Sequence, residues 1–383
     1  MHLLRVQVPD FRGLKNIDIT FEKDFVPSIF PLGSQNGGGK STLLQLIFVL
    51  LHCSFDKDKK LFLQNLLQEF KILDGEEKIL AIIDIWDGEK IVKLEFFCKK
   101  FQFVEGNDPL EYEYINSEDI IYICQVENFR EEIDHDYTIL TITVLNCHFN
   151  NQKNEQAKLF LDRVSHKIFL AAPSTQVFLF LPQNSRELLF KKSTNGGNNY
   201  YGILESAISK LQGLFTYEFL AVGLLIESFK SARDRDFREA IKTGNYGNNY
   251  QTLINDLNRL LGNKRINLDE DFSGVNFKLD NNGETIELYP EDLSHGELKR
   301  LSIYIWLKSR NIKDAIVLMD EVEIAFHPDW QYQIISDLKE WTPSNQYILA
   351  THSYALCEAL TPAHVKEIEP KLIKQESNIT NES

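Results

Sequence analysis

The sequence has few cysteines and no long apolar run. Its five cysteines are scattered and include no C-x-x-C pair. Disulfide frameworks and zinc sites need cysteines at short, regular spacings, so these are predicted to be reduced core thiols. No apolar run reaches the ~18 residues that a helix needs to span a bilayer. The N-terminal "MHLLRVQVPDF" alternates like a strand and lacks the apolar core of a signal peptide. These absences predict a cytoplasmic protein with no membrane partner.

The sequence also has fewer basic than acidic residues. The 383 residues include 41 lysines and arginines against 56 acidic residues, a formal net charge of −15. This balance argues against a broad basic surface for nucleic acid, although a local basic groove or a DNA-binding partner is still compatible with it. Internal repeats and sustained heptads are absent, which predicts that there is no long coiled coil. The length allows two or more domains.

A glycine-rich run lies near the N-terminus, in "PLGSQNGGGKSTLLQLIFVLL" (residues 31–51). Its glycines can adopt positive φ and leave backbone N–H groups uncovered for a phosphate: Gly37, Gly38 and Gly39. A lysine, two hydroxyl residues and an apolar helix-like stretch follow, beginning with Lys40, Ser41 and Thr42. This is the residue order of a P-loop, in which the lysine binds phosphates and the hydroxyl binds Mg²⁺.

The same stretch departs from the usual G-x-x-x-x-G-K-[ST] pattern at its start. Ser34 stands where the pattern has its first glycine, and Gly33 lies one residue earlier. A flexible loop before a buried helix is the alternative interpretation, and the stretch alone leaves it open.

A second motif, "AIVLMDEVEIAFHPDWQ", begins at Ala315. Five apolar residues before Asp320 and Glu321 predict a buried parallel strand with carboxylates at its C-terminal end, where α/β sheets bind ligands. In a phosphate site, Asp320 would hold Mg²⁺ and Glu321 would accept a proton from the attacking water. The alternative is a strand followed by an acidic turn.

Two further segments complete the set. In "EDLSHGELKRLSIYIWL", Ser294 and Glu297 have the spacing of a capping box, so a helix is predicted to start at Ser294. With Gly296, that helix start presents free N–H groups suited to a phosphate. The alternative is that the segment is only a well-capped helix with no ligand. In "QYILATHSYAL", His352 follows a predicted strand, and a structural histidine is the alternative there.

In this order, "GGGKST", "LSHGE", "LMDEVE" and "THS" resemble the ATP-binding-cassette (ABC) ATPases, in particular RecF/SMC-like heads. "DEVEIAFHPDWQ" is similar to a stretch of RecF- and OLD-like AAA-type proteins. The resemblance covers about residues 1–100 and 285–365. It implies an α/β ABC-type ATPase head, with a mixed sheet around the P-loop and N- and C-terminal lobes. An α-rich globular insertion would lie between the lobes, without a long coiled coil.

The resemblance also implies roles for single residues. ATP phosphates and Mg²⁺ would be bound by the P-loop residues Asn36, Gly37, Gly38, Gly39, Lys40, Ser41 and Thr42. Asp320 and Glu321 would be the Walker B pair, and His352 would sense the γ-phosphate. Ser294, Gly296 and Glu297 match the signature motif, which in this family completes the ATP site of a second subunit, although His295 replaces its usual glycine. Arg12 matches a basic residue near the phosphates, and Gln125 is one of several candidates for the Q-loop glutamine.

The predicted organisation is an N-terminal ATPase lobe (residues 1–104), a middle region (105–280), a C-terminal ATPase lobe (281–370) and a disordered tail (371–383). Within the middle region, "TQVFLFLP" is predicted to be a strand.

The overall pattern is similar to restriction-system-associated and anti-phage-defence ATPase subunits such as PtuA of Septu. The predicted function is therefore an Mg²⁺-dependent ATPase that dimerises on ATP and regulates a partner effector nuclease. The alternative is a RecF-like DNA repair ATPase that binds DNA directly.

Overall fold

The computed structural model describes residues 1–33, 37–68, 70–73, 75–104, 119–134, 137–150, 154–188, 200–217, 221–281 and 284–368. Ser34, Asn36 and the predicted tail therefore lie outside the described residues. Among those that are described, no helix is both long and apolar enough to cross a membrane. The longest described helix has 23 residues.

The strands follow the chain in this order: His2–Phe11 (β1), Leu14–Thr20 (β2), Ile29–Gly33 (β3), Glu77–Trp86 (β4), Ile91–Val104 (β5), Ile120–Asp134 (β6), Tyr137–Phe149 (β7), Ile168–Ala172 (β8), Leu214–Thr216 (β9), Lys264–Leu268 (β10), Val275–Asn281 (β11), Glu284–Leu288 (β12), Ile316–Asp320 (β13), Gln346–Ala350 (β14) and Lys366–Glu367 (β15).

The α-helices are Lys40–Cys53 (α1), Lys60–Leu67 (α2), Asn154–Ser165 (α3), Gln183–Leu188 (α4), Tyr200–Lys210 (α5), Ala221–Thr243 (α6), Asn249–Leu261 (α7), His295–Ser309 (α8), Pro328–Trp341 (α9) and Tyr354–Glu358 (α10). Four short 3₁₀ turns lie among these helices, at Lys57–Lys59, Phe178–Phe180, Pro290–Asp292 and Pro362–His364.

Three sheets organise these strands. The first is antiparallel, in the order β2-β1-β4-β5-β7-β6, and the second is parallel, in the order β15-β3-β14-β13-β8-β9. A small antiparallel sheet, β10-β11-β12, precedes α8. The mixed α/β architecture around the glycine loop is the one that the sequence predicts.

The central strands of the parallel sheet, β3, β14, β13 and β8, are mostly apolar, and the sheet is covered on both faces. Alternate side chains of each strand enter two different cores. Leu318 and Ile348 face the core that contains α1 and the antiparallel sheet. Val317 and Leu349 face the core formed with α8 and α9. The sheet therefore holds its strand ends at fixed positions, buried between two layers.

The parallel register brings the carboxyl ends of three central strands together. Asp320 of β13 lies opposite Ala350 of β14, and Ala350 lies opposite Leu32 of β3. The segments that follow these strands are the glycine loop, the acidic segment that begins at Glu321 and the segment that contains His352. Sheet topology therefore gathers the three motifs at one edge, although they are far apart in sequence.

The predicted middle region, residues 105–280, is not separate from the two lobes. Its strands β6 and β7 extend the antiparallel sheet, and β8 pairs directly with β13 in the parallel sheet. The α-rich part of this region is limited to its helices α3–α7.

One strand was also predicted in the wrong place. "TQVFLFLP" contains a 3₁₀ turn at Phe178–Phe180, whereas the strand of this region is β8, a few residues earlier. Short apolar runs are ambiguous between strand and helix, and here Pro173 follows the true strand directly.

Candidate functional site

The glycine loop turns into α1 with two glycines in the left-handed region. Gly37 has φ 81° and Gly39 has φ 83°, with Gly38 between them. A Cβ on Gly39 would lie 2.5 Å from Leu14 Cδ2, in the hairpin between β1 and β2. The left-handed backbone conformation therefore disfavours a side chain at Gly39, and one there would also require the Leu14 side chain to shift. The loop is built for close backbone approach, as a phosphate requires.

The first turn of α1 meets the end of β13. Ser41 Oγ donates a hydrogen bond to Asp320 Oδ1 at 2.9 Å. The preceding residue, Lys40, is only 5 % exposed, and its Nζ lies 3.5 Å from Nδ1 of His352. The structure thus brings together four residues selected from the sequence: Lys40, Ser41, Asp320 and His352. Thr42 follows in the same helical turn.

Asp320 fits a divalent cation. It is 1 % exposed, and its Oδ2 has no hydrogen-bond partner among the described residues. Burial, with Glu321 and Glu323 nearby, raises the pKa of Asp320 to about 7, although the Ser41 hydrogen bond and Lys40 oppose the shift. A buried carboxylate with a free oxygen beside a serine hydroxyl is the oxygen donor set that Mg²⁺ prefers. The residues present therefore suit the ion that the sequence implies.

The ammonium of Lys40 lies in the same buried setting. Burial lowers the pKa of Lys40, and the negative charges of Glu323, Asp320 and Glu321 oppose this shift. Because the ammonium has little contact with water, the local dielectric is low and its positive charge acts strongly on a phosphate group beside it, while the nearby carboxylates oppose this attraction. This environment suits the binding of a phosphate group.

Glu321 begins the segment after β13 with an unusual backbone. Its φ is 49°, its N–H donates to Ala350 O at 2.9 Å, and its carbonyl accepts from Lys299 Nζ at 2.9 Å. The Glu321 side chain lines an open cleft together with Glu323 and His352. A carboxylate at this position can reach a water molecule in the cleft.

Glu323 was missed in the sequence, although it is the third acidic residue of "DEVE". It is 8 % exposed, its Oε1 accepts the backbone N–H of His352 at 2.7 Å, and its Oε2 has no partner among the described residues. Glu323 therefore joins the segment after β13 to the segment that contains His352. Its acidic side chain was the available signal, but a charge after a turn is usually solvated, so burial could not be foreseen.

The capping box predicted at the start of α8 is confirmed. Ser294 is the N-cap and accepts from the Glu297 N–H at 3.2 Å, while Glu297 Oε2 accepts from the Ser294 N–H at 2.9 Å. Lys264 Nζ donates to the other carboxylate oxygen of Glu297 at 2.6 Å. A Cβ on Gly296 would lie 2.6 Å from Ala325 O. The start of α8 is therefore held against the segment that follows β13 in the same chain.

Arg12 lies in the β1–β2 hairpin, whose Leu14 packs against Gly39, whereas Gln125 lies on an edge strand. Arg12 has φ 51° at the β1–β2 turn and donates to Leu66 O, 3.2 Å away at the end of α2. Gln125 is on the edge strand β6 of the antiparallel sheet, where its carbonyl accepts from Gln64 Nε2 at 2.8 Å. The placement of Gln125 gives it no contact with α1 or β13 among the described contacts.

Another glutamine lies closer to the P-loop helix. Gln176 follows β8, the strand that pairs with β13, and its carbonyl accepts from Gln45 Nε2 on α1. The sequence contains a signal for this strand end, an apolar run followed by "PSTQ". The strand was instead predicted at "TQVFLFLP", which follows β8.

These features define the architecture around the candidate site. A parallel sheet brings a glycine loop, a lysine, a serine–aspartate contact and a histidine together at one edge, at the ends of its strands. This α/β arrangement is the one that the sequence resemblance to the ABC-type ATPase heads implies.

The comparisons agree with this resemblance. Residues 185–358, a little under half of the chain, match the family described as "AAA domain, putative AbiEii toxin, Type IV TA system". A stretch of 69 residues is 36 % identical to the "Retron Vc95 probable ATPase" of Vibrio cholerae serotype O1 biovar El Tor. That stretch covers 17 % of this chain and only 13 % of the relative.

Among solved structures, the chain is similar to the SMC head domain from Thermotoga maritima, with a TM-score of 0.44 and 10 % identity. The match covers 94 % of this chain and 92 % of the other. An Smc head with an extended coiled coil bound to the C-terminal domain of ScpA, derived from Pyrococcus furiosus, has a TM-score of 0.36 and 13 % identity. In that case the match covers 94 % of this chain and 91 % of the other.

Proposed function

We propose that this protein is an Mg²⁺-dependent ATPase. The observation that carries the proposal is the 2.9 Å contact between Ser41 Oγ and Asp320 Oδ1, formed beside the buried Lys40 and His352. A hydroxyl from the start of a helix and a buried carboxylate from a strand end are the two protein ligands of Mg²⁺ in P-loop NTPases. The partly matched relative, a probable ATPase, supports the same activity.

In this proposal each residue has a defined task. The N–H groups at Gly37–Gly39 and the ammonium of Lys40 bind the β- and γ-phosphates, at the positive end of the α1 dipole. Ser41 and Asp320 would hold Mg²⁺, and the ion would supply positive charge beside the phosphate oxygens. Glu321 accepts the proton of the attacking water in the cleft. His352, fixed through its backbone by Glu323, contacts the γ-phosphate.

Nucleotide binding is tested with Lys40→Ala. Loss of the buried ammonium removes the positive charge that faces the phosphates, so we expect calorimetry to detect no ATP binding. Lys167→Ala is the matched control, because Lys167 immediately precedes β8 at the opposite edge of the parallel sheet, where its Nζ contacts Lys313 O at 2.8 Å. This control should bind ATP like the wild type. An unchanged ATP affinity in Lys40→Ala would show that the glycine loop is not a phosphate site.

We further propose that hydrolysis takes place in a homodimer, with ATP sandwiched between two heads. The start of α8 is exposed at Ser294 and His295, and its free N–H groups and dipole favour an anion. Closure of a second copy over the P-loop would place this helix start at the γ-phosphate. The homodimer is the minimal assembly in which both motif sets serve one nucleotide.

The biological role that we propose is control of an effector nuclease in an anti-phage or restriction system. The support is the partial similarity to a retron ATPase and to a family described as a putative toxin of a type IV toxin–antitoxin system. ATP can control a partner only through a difference in the partner's affinity for the two head states. The control therefore requires binding that changes with nucleotide.

The role is tested by purifying the protein from its native operon and measuring binding in two states. Glu321→Gln removes the base and should hold the ATP-bound state, while the nucleotide-free protein gives the other state. We expect a co-purifying nuclease whose affinity differs between them. A protein that purifies alone, and whose only state-dependent ligand is DNA, would instead favour a RecF-like repair function.

A further inference from the structure

A buried lysine connects α8 to the loop that carries Glu321. Lys299 is 7 % exposed, and its Nζ donates to Glu321 O at 2.9 Å and to Ile324 O at 3.1 Å. The ammonium also lies 3.9 Å from the centre of the Tyr217 ring. An ammonium is costly to bury unless carbonyls and an aromatic face replace its water, and all of these are present.

The loop that Lys299 contacts, residues 321–325, has a strained backbone at both ends. Glu321 has φ 49° and Ala325 has φ 72°, values that L-residues other than glycine rarely adopt. Such conformations persist only where surrounding contacts hold them, and they concentrate at functional sites. For Glu321, two of these contacts are its N–H bond to Ala350 O and its carbonyl bond to Lys299.

A second contact joins the same two elements one helical turn earlier. Gly296 packs so closely on Ala325 that a Cβ there would lie 2.6 Å from the Ala325 carbonyl oxygen. The ring of Trp330 closes the other side, 3.3 Å from the same Cβ position. The start of α8 and the 321–325 loop are thus in contact at both ends of the loop and should move together.

We infer that Lys299 is a positioning residue that transmits the state of the α8 start to Glu321. This inference rests on the proposed function, in which a phosphate of the ATP bound by the second subunit contacts the start of α8. A shift of the helix start on binding moves Lys299, which lies one turn away. Lys299 holds the Glu321 carbonyl, so the carboxylate moves with it. In the dimer, the α8 start of one subunit would belong to one ATP site and its Glu321 to the other. Lys299 thereby links the two ATP sites of the dimer.

The test compares two lysines of the same helix, the buried Lys299 and the exposed Lys308 near its C-terminal end. Lys299→Met removes the link to the 321–325 loop, whereas Lys308→Met removes a similar contact, from Lys308 Nζ to Trp341 O at 2.7 Å, which lies far along the helix. We expect Lys299→Met to bind ATP as the wild type does but to lower kcat by about 10²-fold, the effect of misplacing a reacting group by roughly 1 Å. Lys308→Met should retain the wild-type kcat.

A double variant separates positioning from a general loss of structure. In Glu321→Gln, where the base is already absent, adding Lys299→Met should lower the residual rate no further, because the two residues act as one unit. An additive loss would overturn the inference. Thermal unfolding is measured for each variant, and Lys299→Gln, which keeps an amide donor, replaces Lys299→Met if the latter does not fold.

The outcomes also distinguish this inference from the proposed function. A wild-type protein that neither binds nor hydrolyses ATP contradicts the proposed function itself. A wild-type protein that hydrolyses ATP, with Lys299→Met matching Lys308→Met in kcat, contradicts only the role of Lys299.

Discussion

At the scale of single residues, the site depends on groups that hold one another in place. His352 approaches Lys40 through its ring and is fixed through its backbone N–H by Glu323 Oε1. The same glutamate contributes the largest of the favourable charge interactions at Lys40. Glu323 therefore has two separable tasks, a hydrogen bond and a charge.

Two substitutions of Glu323 distinguish these tasks. Glu323→Gln keeps an oxygen that can accept the His352 N–H, so we expect ATP turnover close to wild type. Glu323→Ala removes the acceptor, frees the His352 segment and should lower turnover by about 10²-fold if the ring moves by roughly 1 Å. Phosphate release measures both. Equal turnover in the two variants would show that the hydrogen bond to His352 does not matter for hydrolysis.

At the scale of secondary structure elements, the start of α8 has both a structural and a functional explanation. The Ser294–Glu297 capping box accounts fully for the helix start. A test of the composite site must therefore preserve the cap. Asp and Asn cap helices about as well as Ser, and they differ from each other mainly in charge.

We therefore expect Ser294→Asp to abolish hydrolysis by repelling a phosphate, while the matched control Ser294→Asn retains most of it. Mixing Ser294→Asp with Lys40→Ala creates heterodimers in which one site carries both lesions and the other is intact. Random pairing would restore about a quarter of the wild-type rate. No recovery, with heterodimers confirmed by native mass spectrometry, would argue against the sandwich arrangement.

At the scale of the whole molecule, α1 is held between the two large sheets, and its end contains a buried histidine. His52 is 3 % exposed, contacts Ser165 O through Nδ1 at 2.7 Å and stacks on Phe48. Burial lowers the pKa of His52 to about 4 from its usual value near 6.5. Between these two values the unfolded chain binds a proton that the folded protein does not.

The folded state should therefore lose stability as the pH falls from about 6.5 towards 4. The contribution of His52 is about 2 kcal/mol of unfolding free energy between pH 7 and pH 5. His52→Asn keeps a donor for Ser165 O but cannot be protonated, so its unfolding free energy in urea should change less over this interval. The lost packing of the imidazole ring lowers stability equally at pH 7 and pH 5. The quantity to compare is therefore the difference in unfolding free energy between the two pH values. Equal pH dependence in variant and wild type would refute the assignment.

The sequence by itself determined those features that depend on near neighbours along the chain. The glycine run followed by a lysine and hydroxyls predicted the turn into α1, and the S-x-x-E spacing predicted the N-cap of α8. A run of five apolar residues before Asp320 predicted the buried strand β13, and a strand was also predicted before His352, where β14 lies. Local backbone preference and the period of side chains are enough for such features. The order of the motifs was enough for the fold class.

Only the tertiary structure decided which distant residues meet. Ser41 and Asp320 are 279 positions apart, and they touch because β14 lies between β3 and β13 in a parallel sheet. The same sheet order placed β8 beside β13 and so joined the middle region to the head. Burial of Glu323 and Lys299 could not be inferred either, because a charged side chain in a sequence gives no indication of the carbonyls or N–H groups that will surround it. Strand order and burial arise from packing across the whole chain, which local patterns do not record.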